Sequence, residues 1–152
     1  IWINRHSKQE AGVVVEKFRE TLEEGINLIV YPEGTSTDGK HGLLPFKSTA
    51  FQAVSGTGLP ILPIITVYYD TRDGNTIPWF GNQELLPHIW RMLSYWTIKV
   101  DLHILPAIYP TPDLSRKELA EITLKAMQET YSTVTGFPPD APIDQFKIPK
   151  DK

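Results

Sequence analysis

Apolar positions in the chain follow two periods, and the change from one to the other marks out the elements. Ala11, Val14, Val15, Phe18 and Leu22 recur at the three- and four-residue spacing of a helix face. Ser7-Lys8-Gln9-Glu10 has the form of a capping box, and Gly25 stands where a left-handed cap would stop the chain, so a helix is predicted from near Lys8 to about Glu24. A second box, Ser115-Arg116-Lys117-Glu118, opens a helix with an inward stripe of Leu119, Ile122, Ala126 and Met127, extending to around Ser132. Phe46 to Ser55 suits a short helix ended by Gly56, and Glu84 to Trp96 a helix dense in large apolar groups.

Between these segments the pattern is that of strands. Ile1 to Ile3, Asn27 to Tyr31 and Ile61 to Tyr69 are short apolar runs, the last with its prolines near the start. Thr97 to Leu105 alternates, with Ile98, Val100, Leu102 and Ile104 on one face and Lys99, Asp101 and His103 on the other, as a half-buried strand does. Strand, helix and strand in succession favour right-handed parallel crossovers, so the expected fold is α/β, a mixed and largely parallel sheet with crossover helices. Residues 1–135 form the expected domain. Residues 136–152, rich in proline and without periodicity, are expected to be a tail.

Composition removes several classes of function. The net charge is −3 and no run of Lys or Arg occurs, so the electrostatic footprint of a nucleic-acid binder is missing. There is no cysteine, hence no disulfide framework, thiolate nucleophile or Cys-ligated zinc, and no metal site is expected. The most apolar stretch, Leu59 to Tyr69, is interrupted by Pro60 and Pro63 and is far shorter than the ~20 residues of a membrane-spanning helix. The chain opens on Ile-Trp-Ile-Asn-Arg, without an initiator Met or a signal-peptide layout, and is expected to be a fragment entered at a strand.

Candidate chemistry gathers in Val30-Tyr31-Pro32-Glu33-Gly34-Thr35-Ser36-Thr37-Asp38-Gly39, followed by Leu43-Leu44-Pro45-Phe46-Lys47. A strand would deliver a carboxylate, a glycine and hydroxyls into a loop at its carboxyl end, the favoured location of sites in open α/β sheets. Gly34 lets backbone approach a ligand, Thr35 and Ser36 offer donors, and Lys47 opens a short helix whose amino terminus suits anions. Glu33 as a carboxylate cannot bind phosphate and is read as holding the loop or a neighbouring cation. By physics alone the same residues also make an ordinary connector.

The stretch resembles the Pro-Glu-Gly-Thr signature of the lysophosphatidate and glycerol-phosphate acyltransferases, and Leu-Leu-Pro-Phe-Lys resembles its usual continuation. The similarity extends from Ile1 to roughly Tyr109. Ile1-Trp2-Ile3-Asn4-Arg5 is similar to the block in which a strand delivers a phosphate-binding arginine, here Arg5. Leu59-Pro60-Ile61-Leu62-Pro63-Ile64 is similar to the later proline-bearing strand, and Trp79 with Leu85-Leu86-Pro87-His88-Ile89-Trp90 looks like bacterial members.

The resemblance implies an enzyme that moves a fatty acyl group from an acyl thioester, acyl-CoA or acyl-carrier protein, to a lysolipid hydroxyl, without a cofactor. It implies substrate binding by Arg5, Glu33, Gly34, Thr35, Ser36 and Lys47, at the cytoplasmic face of a membrane. Two departures matter. Ser36 stands where the signature usually has arginine, which leaves the phosphate to Arg5 and Lys47 or points to another head group, such as that of lyso-ornithine lipid. The family's base is a His paired with Asp as His-x-x-x-x-Asp, but the fifth residue after His6, His41, His88 and His103 is Ala11, Phe46, Leu93 and Ile108.

No histidine is therefore assigned as catalyst, and the chain by itself is expected to be inactive. A non-catalytic lipid or phosphate binding module that lost the histidine is the other reading. Glu84 to Trp96 suits either an interfacial helix at a bilayer or the core of an α/β crossover.

Overall fold

A computed structural model describes residues 8–140. The predicted strand at Ile1 to Ile3, Ser7 of the first capping box, and Arg5 and His6 lie outside these residues. In chain order the elements are helix α1 (Lys8–Glu23), one 3-10 turn (Ser48–Phe51), strand β1 (Ile64–Tyr68), helix α2 (Leu85–Ser94), strand β2 (Val100–Ile104) and helix α3 (Arg116–Thr135).

The helices form where local signals placed them. In α1, Val15 is buried while Val14, Phe18 and Leu22 are half-buried along the predicted face. Gly25, at φ 77°, closes the helix, and Ile26 N–H reaches back to the Thr21 carbonyl at 3.1 Å. At α3 the predicted box is present: Glu118 N–H donates to Ser115 Oγ at 3.3 Å and Ser115 N–H to Glu118 Oε2 at 2.8 Å. The Ser115 hydroxyl and backbone hold the Glu118 carboxyl below its ordinary value. Gly136 ends α3 at φ 71°. Its buried residues are Leu119, Ala120, Thr123 and Tyr131; of the predicted stripe Leu119 is buried and Ala126 and Met127 pack half-buried on the core, while Ile122 is left in solvent.

The core lies where α3 meets the segments before and within the sheet. Phe51, Leu119 and Ala120 pack together under Phe46, Ala50, Ile61 and Leu114, and the rings of Phe46 and Phe51 stack 6.2 Å apart. Ile65, Leu105 and Tyr131 form a second cluster with Leu43, Val67, Ala126 and Met127. The first cluster anchors the segment after the Glu33 loop, and the second anchors the loop itself through Tyr131.

Three expectations are corrected. The sheet among the described residues is mixed with helices as foreseen but is a two-stranded antiparallel pair, Ile64 opposite Ile104 through Tyr68 opposite Val100. A connection spanning α2 allows either direction, and α2 packs against none of the other described helices or strands, so it forms no parallel crossover. Asn27 to Tyr31 is extended without strand pairing, and Ile29 and Tyr31 are exposed; an apolar run becomes a strand only beside a partner edge. Phe46 to Ser55 gives the single 3-10 turn and further turns in place of a helix, with Val54 N–H bonded to the Phe51 carbonyl at 3.3 Å.

The alternation in β2 is real, but its faces are reversed in their surroundings. Asp101 and His103 flank the covered side with Ile65 and Val67, whereas Val100, Leu102 and Ile104 lie exposed beside Ile64 and Tyr68. Period-2 patterning separates the faces without saying which one a helix covers.

Candidate functional site

The loop from Tyr31 to Lys47 is held by backbone before any side chain acts. Gly34 N–H bonds the Tyr31 carbonyl at 3.1 Å, closing a tight turn, and Lys47 N–H bonds the Pro32 carbonyl at 2.8 Å. The second bond brings the two conspicuous segments, Pro-Glu-Gly-Thr and Leu-Leu-Pro-Phe-Lys, side by side. Gly34 sits at φ 70°, in the left-handed region that other residues enter at a cost.

Glu33 turns inward. Its Oε2 accepts the Leu44 N–H at 2.8 Å, a second tie between the segments, and Leu44 itself is buried beside Phe80. Burial pushes the Glu33 carboxyl above its ordinary value of 4.5, and the Leu44 N–H opposes this in part. The predicted role of Glu33 as a loop holder matches this geometry, with a backbone N–H where the sequence alone left a cation as the alternative.

Lys47 is exposed, and its side chain lies back across Gly34. A Cβ at residue 34 would overlap the Lys47 ammonium and stand 2.8 Å from Cε and 3.0 Å from Cδ. Glycine is thus needed twice, for the turn and for the lysine above it. Among the described residues no carboxylate pairs with the Lys47 ammonium, while nearby Lys40 is taken by Asp70 at 2.5 Å.

The other predicted residues are distributed as follows. Thr35 is half-buried in the turn. Ser36 is exposed and donates its hydroxyl to the Trp79 carbonyl, which ties the loop to the segment before α2. Arg5 lies outside the described residues. The helix expected to begin at Lys47 is one 3-10 turn with no side-chain cap, too short for a macrodipole to contribute to anion binding. The exposed Lys47 charge remains.

Beyond Ser36 the loop is clamped by Tyr131, which the sequence did not single out, and by contacts around Asp38 and His41. Tyr131 on α3 donates its hydroxyl to the Gly39 carbonyl at 2.7 Å and accepts the Gly42 N–H at 3.4 Å. His41 Nδ1 meets the Asp38 carboxylate at 2.8 Å, and Lys40 N–H donates to Asp38 Oδ1 at 3.0 Å. Residues of the expected tail also touch this loop, since Leu43 N–H bonds the Pro139 carbonyl at 3.0 Å and Leu43 bridges Asp140. Tyr131 lies about a turn beyond the predicted stripe of α3, and only its helical phase could have indicated it.

The class these features define is borne out by comparison with known proteins. Residues 1–67 match the Acyltransferase family model. The chain is 35% identical over 104 residues to the 1-acyl-sn-glycerol-3-phosphate acyltransferase of Neisseria gonorrhoeae, covering 66% of this chain and 40% of that protein. It is 29% identical over 127 residues to the lyso-ornithine lipid O-acyltransferase of Pseudomonas aeruginosa, covering 82% of this chain and 48% of the relative. It is 32% identical over 143 residues to the lysophospholipid acyltransferase LPCAT4 of Homo sapiens, covering 91% and 25%. No solved structure matches.

Across these matches the chain is similar to the lysophosphatidate and glycerol-phosphate acyltransferases. It spans about 40% of the length of the first curated relatives it matches.

Proposed function

We propose that the complete protein is an acyltransferase that moves a fatty acyl group from an acyl thioester to the hydroxyl of a lysolipid in phospholipid synthesis or remodelling. The observation that carries this reading is the Lys47 ammonium held over the Gly34 turn, without a carboxylate partner among the described residues. An anionic head group placed against the turn meets that charge, with Arg5 as the second cation. Glu33 positions the two segments and does not touch the acceptor. Gly34, Thr35 and Ser36 form the wall, although Ser36 spends its hydroxyl proton on Trp79 and reaches a ligand only as an acceptor.

The acyl donor is acyl-CoA or acyl-carrier protein, and the reaction takes place at the cytoplasmic face of a membrane, the protein being peripheral or anchored by other segments. None of His41, His88 and His103 has the spacing of the family's base, so the 152-residue chain alone is proposed to be inactive. The exposed run Asn27 to Tyr31 is proposed to complete a largely parallel sheet in the whole protein, since β1 has an edge unpaired among the described residues. The names of the relatives favour an enzyme over a non-catalytic binding module.

The test is transfer of labelled acyl groups by the full-length protein to a panel of lysolipids. Transfer is expected, with Arg5→Ala and Glu33→Ala each impaired. Wild-type transfer that is undiminished in both variants would remove this site assignment, and no transfer to any acceptor would remove the function.

A further inference from the structure

Helix α2 is amphipathic the wrong way round for a water-facing helix. Its inward side carries the polar groups: His88 is buried, and Arg91, Met92 and Tyr95 are half-buried. Arg91 Nη2 meets His88 Nδ1 at 3.0 Å, and the Tyr95 hydroxyl donates to Asp73 Oδ2 at 3.1 Å. The outward side carries the apolar groups. Leu86 is 69% exposed, Trp90 and Leu93 are 72% exposed each, and Trp96, just past the helix, is 99% exposed, with Leu85 and Ile89 beside them.

The five helical positions, Leu85, Leu86, Ile89, Trp90 and Leu93, share one side at 100° per residue, and Trp96 follows just past the helix end. No described helix or strand packs against α2.

Charge identifies the occupant. From Leu85 to Lys99 there is no Asp or Glu, and Arg91 and Lys99 give the segment a positive balance within a chain of net charge −3. Two tryptophans and leucines on one side, with the exposed Lys99 just beyond the helix, suit the boundary of an anionic bilayer, where indole rings settle among head groups. The helix, at 10 residues, is too short to cross a membrane and suits lying in its surface.

We propose that α2 seats the protein on an anionic lipid surface, with Trp90, Leu93 and Trp96 entering the head-group region and the exposed Lys99 facing lipid phosphates. The proposal rests on the acyltransferase reading only for the presence of a lipid substrate in that surface. It deepens that reading by naming the contact through which the acceptor is reached.

The experiment is flotation of the full chain with phosphatidylcholine vesicles and with phosphatidylcholine–phosphatidylglycerol vesicles. Binding is expected to the anionic vesicles, to weaken with added salt, and to fall roughly tenfold for each of Trp90→Ser, Leu93→Ser and Trp96→Ser, about 1.4 kcal/mol being tenfold. These side chains are in solvent, so circular dichroism and melting should not change. Unchanged flotation of the triple variant overturns the proposal. So does absence of flotation accompanied by a dimer that the triple variant dissolves, which would assign the patch to a second copy.

Acyl transfer by the full-length protein separates the two readings. The triple variant should lose transfer to lysolipid embedded in vesicles and keep transfer to a short-chain, monomerically dissolved lysolipid. Loss on both acceptors overturns the docking role. No transfer by the wild type to either, with flotation intact, overturns the enzymatic reading alone.

Discussion

Gly34 and Gly42 show how the same residue type can serve function in one place and stability in another. Both have positive φ, 70° and 97°, so alanine at either strains the backbone by about 1–2 kcal/mol. At Gly34 the new methyl meets the flexible end of Lys47, which can swing away. Gly34→Ala should therefore melt only slightly lower yet lose acyl transfer, and adding it to Lys47→Met should cost little further activity; an additive double-mutant cycle would contradict the contact. At Gly42 the methyl meets backbone, with Asp140 N at 2.6 Å and Pro138 O at 2.7 Å, and nothing yields cheaply. Gly42→Ala should lower the melting temperature more than Gly34→Ala does.

Glu33 adds a pH signature at the same scale. Its carboxyl is raised in the folded protein by burial, so its contribution is most favourable below the unfolded value, near 4.5, and is lost as pH rises through the raised folded value. Gln at this position keeps an acceptor for Leu44 N–H without the buried charge. Relative to Glu33→Gln, the wild type should thus lose stability between about pH 4.5 and neutrality, measurable by melts across that range. Glu33→Ala strands the Leu44 N–H and should cost about 1–3 kcal/mol. The carboxylate and its turn were legible in the sequence because they are contiguous. The partner N–H at Leu44 and the Tyr131 clamp were not, since each comes from chain that returns after a long excursion.

Among elements, helices were the more legible because their signals are local. Gly25, the Ser115–Glu118 box and Gly136 each act within one turn, and α1 and α3 end within a few residues of the predicted positions. Strand signals concern one face and one edge. Neither Asn27 to Tyr31, apolar without a paired edge, nor β2, alternating with its apolar side in solvent, announces its neighbour. The direction of the sheet depends on where α2 lies, and α2 turns its polar side inward, against the usual rule for a crossover helix. At this scale Ser115→Ala should cost about 1 kcal/mol of stability by removing the cap. Leu119→Ala should cost about 2–5 kcal/mol, because Leu119 is fully buried between α3 and the 3-10 turn. Equal melting temperatures for the two variants would contradict this placement of the core.

For the whole molecule, α3 is the element on which the rest depends. One side packs the 3-10 turn that follows Lys47, the other covers β1, and Tyr131 at its far end fastens the loop that starts at Glu33. The proposed acceptor site is therefore a loop stretched between two anchors, with its open side bearing Lys47. The charge is placed by backbone, through the Lys47 N–H bond to Pro32 and the left-handed turn at Gly34.

That placement is tested most directly by the kcat/KM of the full-length protein for an anionic lysolipid with Lys47→Met, which keeps the length of the stem and removes the charge. A charge-assisted hydrogen bond worth about 1.5–3 kcal/mol corresponds to a fall of roughly tenfold or more, with melting temperature unchanged. An unaltered kcat/KM would mean that the head group binds elsewhere.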